Sequence, residues 1–251
     1  MIKHEFYKLF HAKAFWICLP IMLGFYTAMQ LLNAIILVIN PTNEFDEPKG
    51  VDGLDVLLSS SQMWSVVVAV MIANIIVNDY PNGIMRNMIL AGKQRWQIYL
   101  VKLFMCAVVS LVFFFTTLLS ATCVNTAFFG FGHMSVSLYL TGFFLAVLLT
   151  VAMGSLFMLI AYATRNAGVV IASSVFLYLL CAGLTMAEGL EIFGIRLDCF
   201  YVGYLFGDIG NLLMVDVVLR VAAWQIAMIG VLTLAICVGL GYWLFRRREI
   251  K

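Results

Sequence analysis

Apolar positions in this chain fall in long unbroken blocks. They lack both the alternation of a half-buried strand and the single stripe of a soluble helix. Six blocks approach or exceed the roughly 20 residues that an α-helix needs to cross a bilayer: 14–38, with Pro20 inside it, 57–77, 103–124, 136–163, 168–187 and 221–245. Each reads as a transmembrane helix. The fourth is long enough to tilt or to project into water. No tandem repeat, low-complexity tract or soluble domain interrupts the series, so residues 1–251 read as one all-α integral membrane domain.

Composition strengthens this reading. Hydrophobic residues make up 64% of the chain and charged residues only 11%, against about 25% charged in a soluble domain. Mean hydropathy is +1.03. The first block is too long for a signal-peptide core of about 7–15 residues, and no small-residue cleavage site follows it. It reads as a permanent span. The six cysteines, Cys18, Cys106, Cys123, Cys181, Cys199 and Cys237, show no CxxC or Cys/His cluster and read as small apolar filler.

Charge placement sets the orientation. Six spans put both ends on one side, and the excess of Lys and Arg marks the cytoplasmic side. With both ends inside, the inner segments hold Lys3, Lys8, Lys13, Arg86, Lys93, Arg95, Lys102, Arg165, Arg246, Arg247, Arg248 and Lys251, twelve of the 15 basic residues. Lys49, Arg196 and Arg220 remain outside. The expected topology is N-in, C-in, in a cell membrane.

Three segments outside the spans have character of their own. In residues 1–13, Ile2, Phe6, Leu9 and Phe10 recur at helical spacing among Lys3, His4, Lys8, His11 and Lys13. This predicts a short amphipathic helix on the inner membrane surface. Residues 41–55 carry Glu44, Asp46, Glu47, Asp52 and Asp55, but not with the spacing of a calcium loop, so they read as a solvated acidic loop. Residues 188–220 are too long for a turn and rich in aromatics and glycine. They read as a re-entrant outer segment of short helices between spans five and six, buried against protein or lining water.

Familiar catalytic motifs are absent. The chain has no phosphate-binding GxxxxGK[ST], no HExxH and no GxSxG. His4, His11 and His133 do not make a metal site. The span centres carry no Asp, Glu, Lys, Arg or His, the groups that ion-coupled transporters place there. Milder polar residues occur instead, of which Gln30, Asn33 and Asn74 are candidates to line a pathway. No catalytic, cofactor-binding or metal-binding residue is expected, and uphill transport would need energy from elsewhere.

Residues 78–102 gather Arg86, Lys93, Arg95 and Lys102 against one acid, Asp79. With the topology above they form the cytoplasmic loop between spans two and three. Tyr80-Pro81-Asn82-Gly83 predicts a turn. A short helix with Ile84, Met88 and Ile89 on an apolar side follows, Ala91-Gly92 breaks it, and Trp96 and Tyr99 enter the next span at headgroup depth. A turn, a helix and a second break are more than a topological tether needs. The pattern D-Y-x-N-G-x-x-R-N-x-x-x-x-G-x-x-R-x-x-x-Y-x-x-K at residues 79–102 resembles the first cytoplasmic loop of type-2 ABC transporter permeases. Asp79, Gly83, Arg86, Gly92, Arg95 and Lys102 match it position by position, although the family more often has Glu at the first. The ending YWLFRRREIK is also similar to the family's, and the six-span length resembles permeases that export, or confer immunity to, peptide antibiotics.

The resemblance implies a mechanism. A separate ABC ATPase subunit, in two copies and carrying ATP and magnesium, would receive the loop's coupling helix in a groove. Asp79, Gly83, Ile84, Arg86, Met88, Ile89, Gly92, Arg95 and Lys102 would serve coupling. Arg86 would meet an acid, while Ile84, Met88 and Ile89 would fill the groove. A second permease copy or homologue would complete the pathway, and Phe6, Leu9 and Phe10 would anchor the interfacial helix in lipid. The cargo would be a peptide or hydrophobic substrate, with no nucleic acid involved. The alternative is a non-transporting sensor or assembly scaffold whose loop docks another soluble partner.

Overall fold

A computed structural model of the chain describes residues 2–39, 61–132, 136–186, 191–192, 195–196 and 223–247. Each of the six apolar blocks supplies one long helix. These are α2 (Lys13–Ile39), α3 (Ser61–Ile76), α5 (Arg95–Phe129), α6 (Val136–Thr164), α7 (Ala167–Met186) and α8 (Ala223–Arg247). Two short helices precede or join them: α1 (Ile2–His11) and α4 (Ile84–Leu90). A two-residue antiparallel ladder pairs β1 (Glu191–Ile192) with β2 (Ile195–Arg196). It is the described part of the segment expected to hold short re-entrant helices. The rest of that expectation, like the acidic loop 41–55 and His133, lies outside the described residues.

Four helices are long and apolar enough to cross a membrane: Lys13–Ile36, Arg95–Phe129, Tyr139–Thr164 and Ile226–Arg247. A fifth is reached if the bent pair Ser65–Asp79 and Ile84–Leu90 counts as one span. Of α7, Ala167–Leu177 is apolar but shorter. The six expected spans thus correspond to six helices in order, four of which meet the requirement by themselves. The largest boundary difference is at α5. Its 35 residues extend about 52 Å at 1.5 Å per residue, starting at Arg95 rather than Leu103. A charge at position 102 ends an apolar run in the sequence but not a helix in the protein, because that charge is paired.

Helices α5 and α6 form the centre. α6 packs against α3, α5, α7 and α8, while α2 lies along α5 and α7 along α3. Val68, Ile72 and Ile76 of α3, Val109 and Phe113 of α5, and Phe157 and Ala161 of α6 are buried together. Helices in lipid gain little from hydrophobic exclusion of one another, so close van der Waals approach carries the packing. Two glycines provide it. A Cβ at Gly154 of α6 would lie 2.6 Å from Ser110 Oγ, and one at Gly241 of α8 would lie 2.6 Å from Tyr99 Oη. The Tyr99 hydroxyl donates to the Val238 carbonyl at 3.0 Å. Its ring lies 5.5 Å from that of Tyr162 and 5.7 Å from that of Tyr242. This aromatic knot ties neighbouring ends of α5, α6 and α8.

Candidate functional site

The loop between α3 and α5 is built by local rules that the sequence announces. Val77–Asp79 tighten into one 3-10 turn at the end of α3. Gly83 N–H then donates to the Tyr80 carbonyl at 3.1 Å. Gly83 has φ +65°, a left-handed conformation that glycine adopts without a Cβ penalty. It forms the N-cap of α4. At the other end Lys93 N–H reaches the Met88 carbonyl at 3.2 Å and Gly92 N–H reaches that of Ile89 at 3.0 Å. Gly92 has φ +77°. These paired bonds are a Schellman motif, which satisfies the last carbonyls of the helix. The axis turns by 54° between α3 and α4.

Seven residues make two turns, and one side of them must rest on the bundle. Met85 is fully buried, and Met88 and Ile89 pack against the protein's own core. Spacing of three and four residues puts these three on one face. Two of the three residues expected to fill a partner's groove, Met88 and Ile89, thus pack on their own chain. Ile84 is half-buried, whereas Met88 and Ile89 seat α4 on its own chain. Arg86, Asn87 and Leu90 point outward, with Leu90 74% exposed.

Asp79 and Lys102 belong to a buried charge cluster with two residues of α1. Lys102 Nζ donates to Glu5 Oε2 at 2.6 Å, to Asp79 Oδ2, and to the Ile75 carbonyl at 3.4 Å. Lys8 Nζ donates to Asp79 Oδ1. Side chains of Lys102, Asp79 and Glu5 are 1%, 0% and 2% exposed, and that of Lys8 is 30% exposed. Two acids and two bases balance, which offsets a desolvation cost of several kcal/mol per buried ion. A cleft of about 30 Å³ lies beside them, lined by Glu5, Lys8, Met71, Asn74, Ile75 and Met105 among others.

The cluster changes the reading of α1. Leu9 and Glu5 face into the protein and Phe6 packs against the core, while Ile2, Tyr7 and Phe10 face outward. The helix is thus docked on the bundle as well as amphipathic. Glu5 was absent from the expected site. Its signal was available: it is the sole acid in residues 1–43, and it falls on the same helix face as Leu9.

Other candidates take structural places. Arg95 Nη1 donates to the Arg246 carbonyl at 2.8 Å, satisfying the last turn of α8. Arg165, in the two-residue turn between α6 and α7, lies over the Tyr80 ring at 4.7 Å. Asn74 lies one turn before the end of α3 and accepts a hydrogen bond from Asn78. That places it at the charge cluster rather than at a span centre. Gln30 is buried, and the Asn33 side chain lies outside the described set. Among the described residues no group of His, Cys, Asp and Glu could hold a metal ion.

The arrangement offers no nucleophile–base pair. The short helix α4 lies between two left-handed glycines, and the turn that leads into it is tied to α1 and α5 through the ion pairs of Asp79. No protein-family model and no curated protein matches the chain.

Proposed function

We propose that this chain is the membrane permease subunit of an ATP-driven exporter with the type-2 ABC architecture, six spans and both ends in the cytoplasm. A separate ATPase subunit would bind ATP and magnesium and engage α4, and two permease copies or homologues would enclose the pathway. The observation that carries this reading is α4. It is a short helix with one exposed face between two left-handed glycines, and the turn that leads into it is tied to α1 and α5 through Asp79. Such an element transmits displacement without doing chemistry, as a permease powered by another subunit requires. The docking face is Arg86, Asn87 and Leu90, with Met88 and Ile89 as its seat. A pathway whose polar residues are amides and hydroxyls suits an amphipathic peptide or hydrophobic drug.

The test is recovery of the native complex in mild detergent through a C-terminal tag. A stoichiometric soluble chain with ATPase activity is expected. Arg86→Glu is expected to leave the membrane fold intact and to separate ATP hydrolysis from export. Recovery of the chain without any ATPase would overturn the proposal. For the cargo, cells with and without the gene should differ in growth inhibition by cationic peptides, and equal sensitivity would remove that substrate class.

A further inference from the structure

Glu5 and Lys8 lie one turn apart on α1 and hold the two ends of the chain of contacts Glu5–Lys102–Asp79–Lys8. The four side chains therefore close a ring of alternating charge through α1, α5 and the turn after α3. The ring is uneven. Lys102 is enclosed, whereas Lys8 reaches water. Glu5 Oε1 is buried with no hydrogen-bond partner. A lysine three residues further along the same helix can reach a glutamate, so Lys8 has a second acceptor on its own helix.

We propose that this ring is a latch with two positions, in which Lys8 passes from Asp79 to Glu5 Oε1 as α1 and the 80–93 loop open together. Any partner that displaces α4 pulls on Asp79, which two ammonium groups from different segments hold. Parting Asp79 from Lys102 would strand charge in the interior. Parting it from Lys8 strands none, because Lys8 is partly hydrated and Glu5 has an open oxygen. The loop then pivots on the Lys102–Asp79 pair. Coupling of this kind is reciprocal, so a ligand that lifts α1 also changes the affinity of α4 for its partner. Leu9 and Phe6 pack α1 against the bundle, and Phe10 meets Phe15 of α2 with ring centroids 5.7 Å apart. The device does not depend on the exporter reading and would serve any soluble partner of the loop.

Hydrogen exchange on the intact chain in lipid nanodiscs tests it. In the unmodified protein, amides of residues 5–11 and 84–92 should share one opening, with equal protection and equal response to urea. Lys8→Met should speed both segments by a common factor of about ten, between the effects of an exposed and a buried pair. Unrelated protection of the two segments in the unmodified chain would overturn the latch whatever the variant does. So would an effect of Lys8→Met on one segment alone or on neither.

Discussion

Replacing Lys102 with methionine keeps the length of the side chain and removes its charge. Two enclosed carboxylates, Glu5 and Asp79, then lose the ammonium they share. Asp79 retains Lys8, but Glu5 keeps nothing in exchange, since its other oxygen already lacks a partner. Breaking a buried ion pair costs about 3–5 kcal/mol. The folded-to-unfolded ratio should therefore fall by about a hundredfold to a few thousandfold, at tenfold per 1.4 kcal/mol. Adding Glu5→Gln replaces the stranded charge with a neutral amide, whose unpaired burial costs only about 1–3 kcal/mol. The double variant should thus be more stable than the sum of the two single losses, by about 0.5–3 kcal/mol. Reversible SDS titration in mixed micelles, followed by tryptophan fluorescence, measures all three free energies. A Lys102→Met protein within about 0.5 kcal/mol of the parent would refute the reasoning, because surface substitutions have effects of that size. Strict additivity of the two changes would refute it equally.

Gly241→Ala would place a methyl against Tyr99 Oη, and overpacking of this kind costs about 1–3 kcal/mol; adding Tyr99→Phe, which removes the hydroxyl, should recover part of the loss in the same titration. Gly83→Ala meets no atom within 4 Å, so its cost is the left-handed backbone alone, about 1–2 kcal/mol. That cost should appear as faster hydrogen exchange in residues 84–90 with exchange in α6 unchanged, and equal effects in both would count against a local role. Arg95→Ala removes a donor from the last turn of α8, so trypsin should cut at Arg246 and Arg247 several times faster, judged against a hydrogen-bond worth of about 1.5–3 kcal/mol for a charged donor. An unchanged cleavage rate would mean that the contact does not hold the turn.

The long elements were legible in the sequence because lipid demands uninterrupted apolar helices, and each of the six blocks supplies one helix, with α5 starting eight residues before its block. Turn chemistry was legible for the same local reason: Gly83 and Gly92 both adopt the left-handed angles that Pro-Asn-Gly and Ala-Gly announce. Long-range pairing was not. Nothing near Lys102 in sequence says that its partners are 97 and 23 residues away. Periodicity also could not tell which neighbour an apolar face would meet. Leu9 and Met88 fit a lipid surface or a foreign groove as well as they fit their own core. Arg95 matches a coupling position by its place in a motif, but nothing in that motif announces its hydrogen bond to the end of α8.

Glu5, Lys8, Asp79 and Lys102 together carry no net charge. A unit charge moved across a membrane potential of 100 mV gains or loses about 2.3 kcal/mol. A junction of four separate ions would feel that field and would work differently in energised and de-energised cells. Closed on itself, this one presents only the small dipole of its internal arrangement. The connection between the 80–93 loop and the bundle is thereby insulated from a voltage across a surrounding membrane.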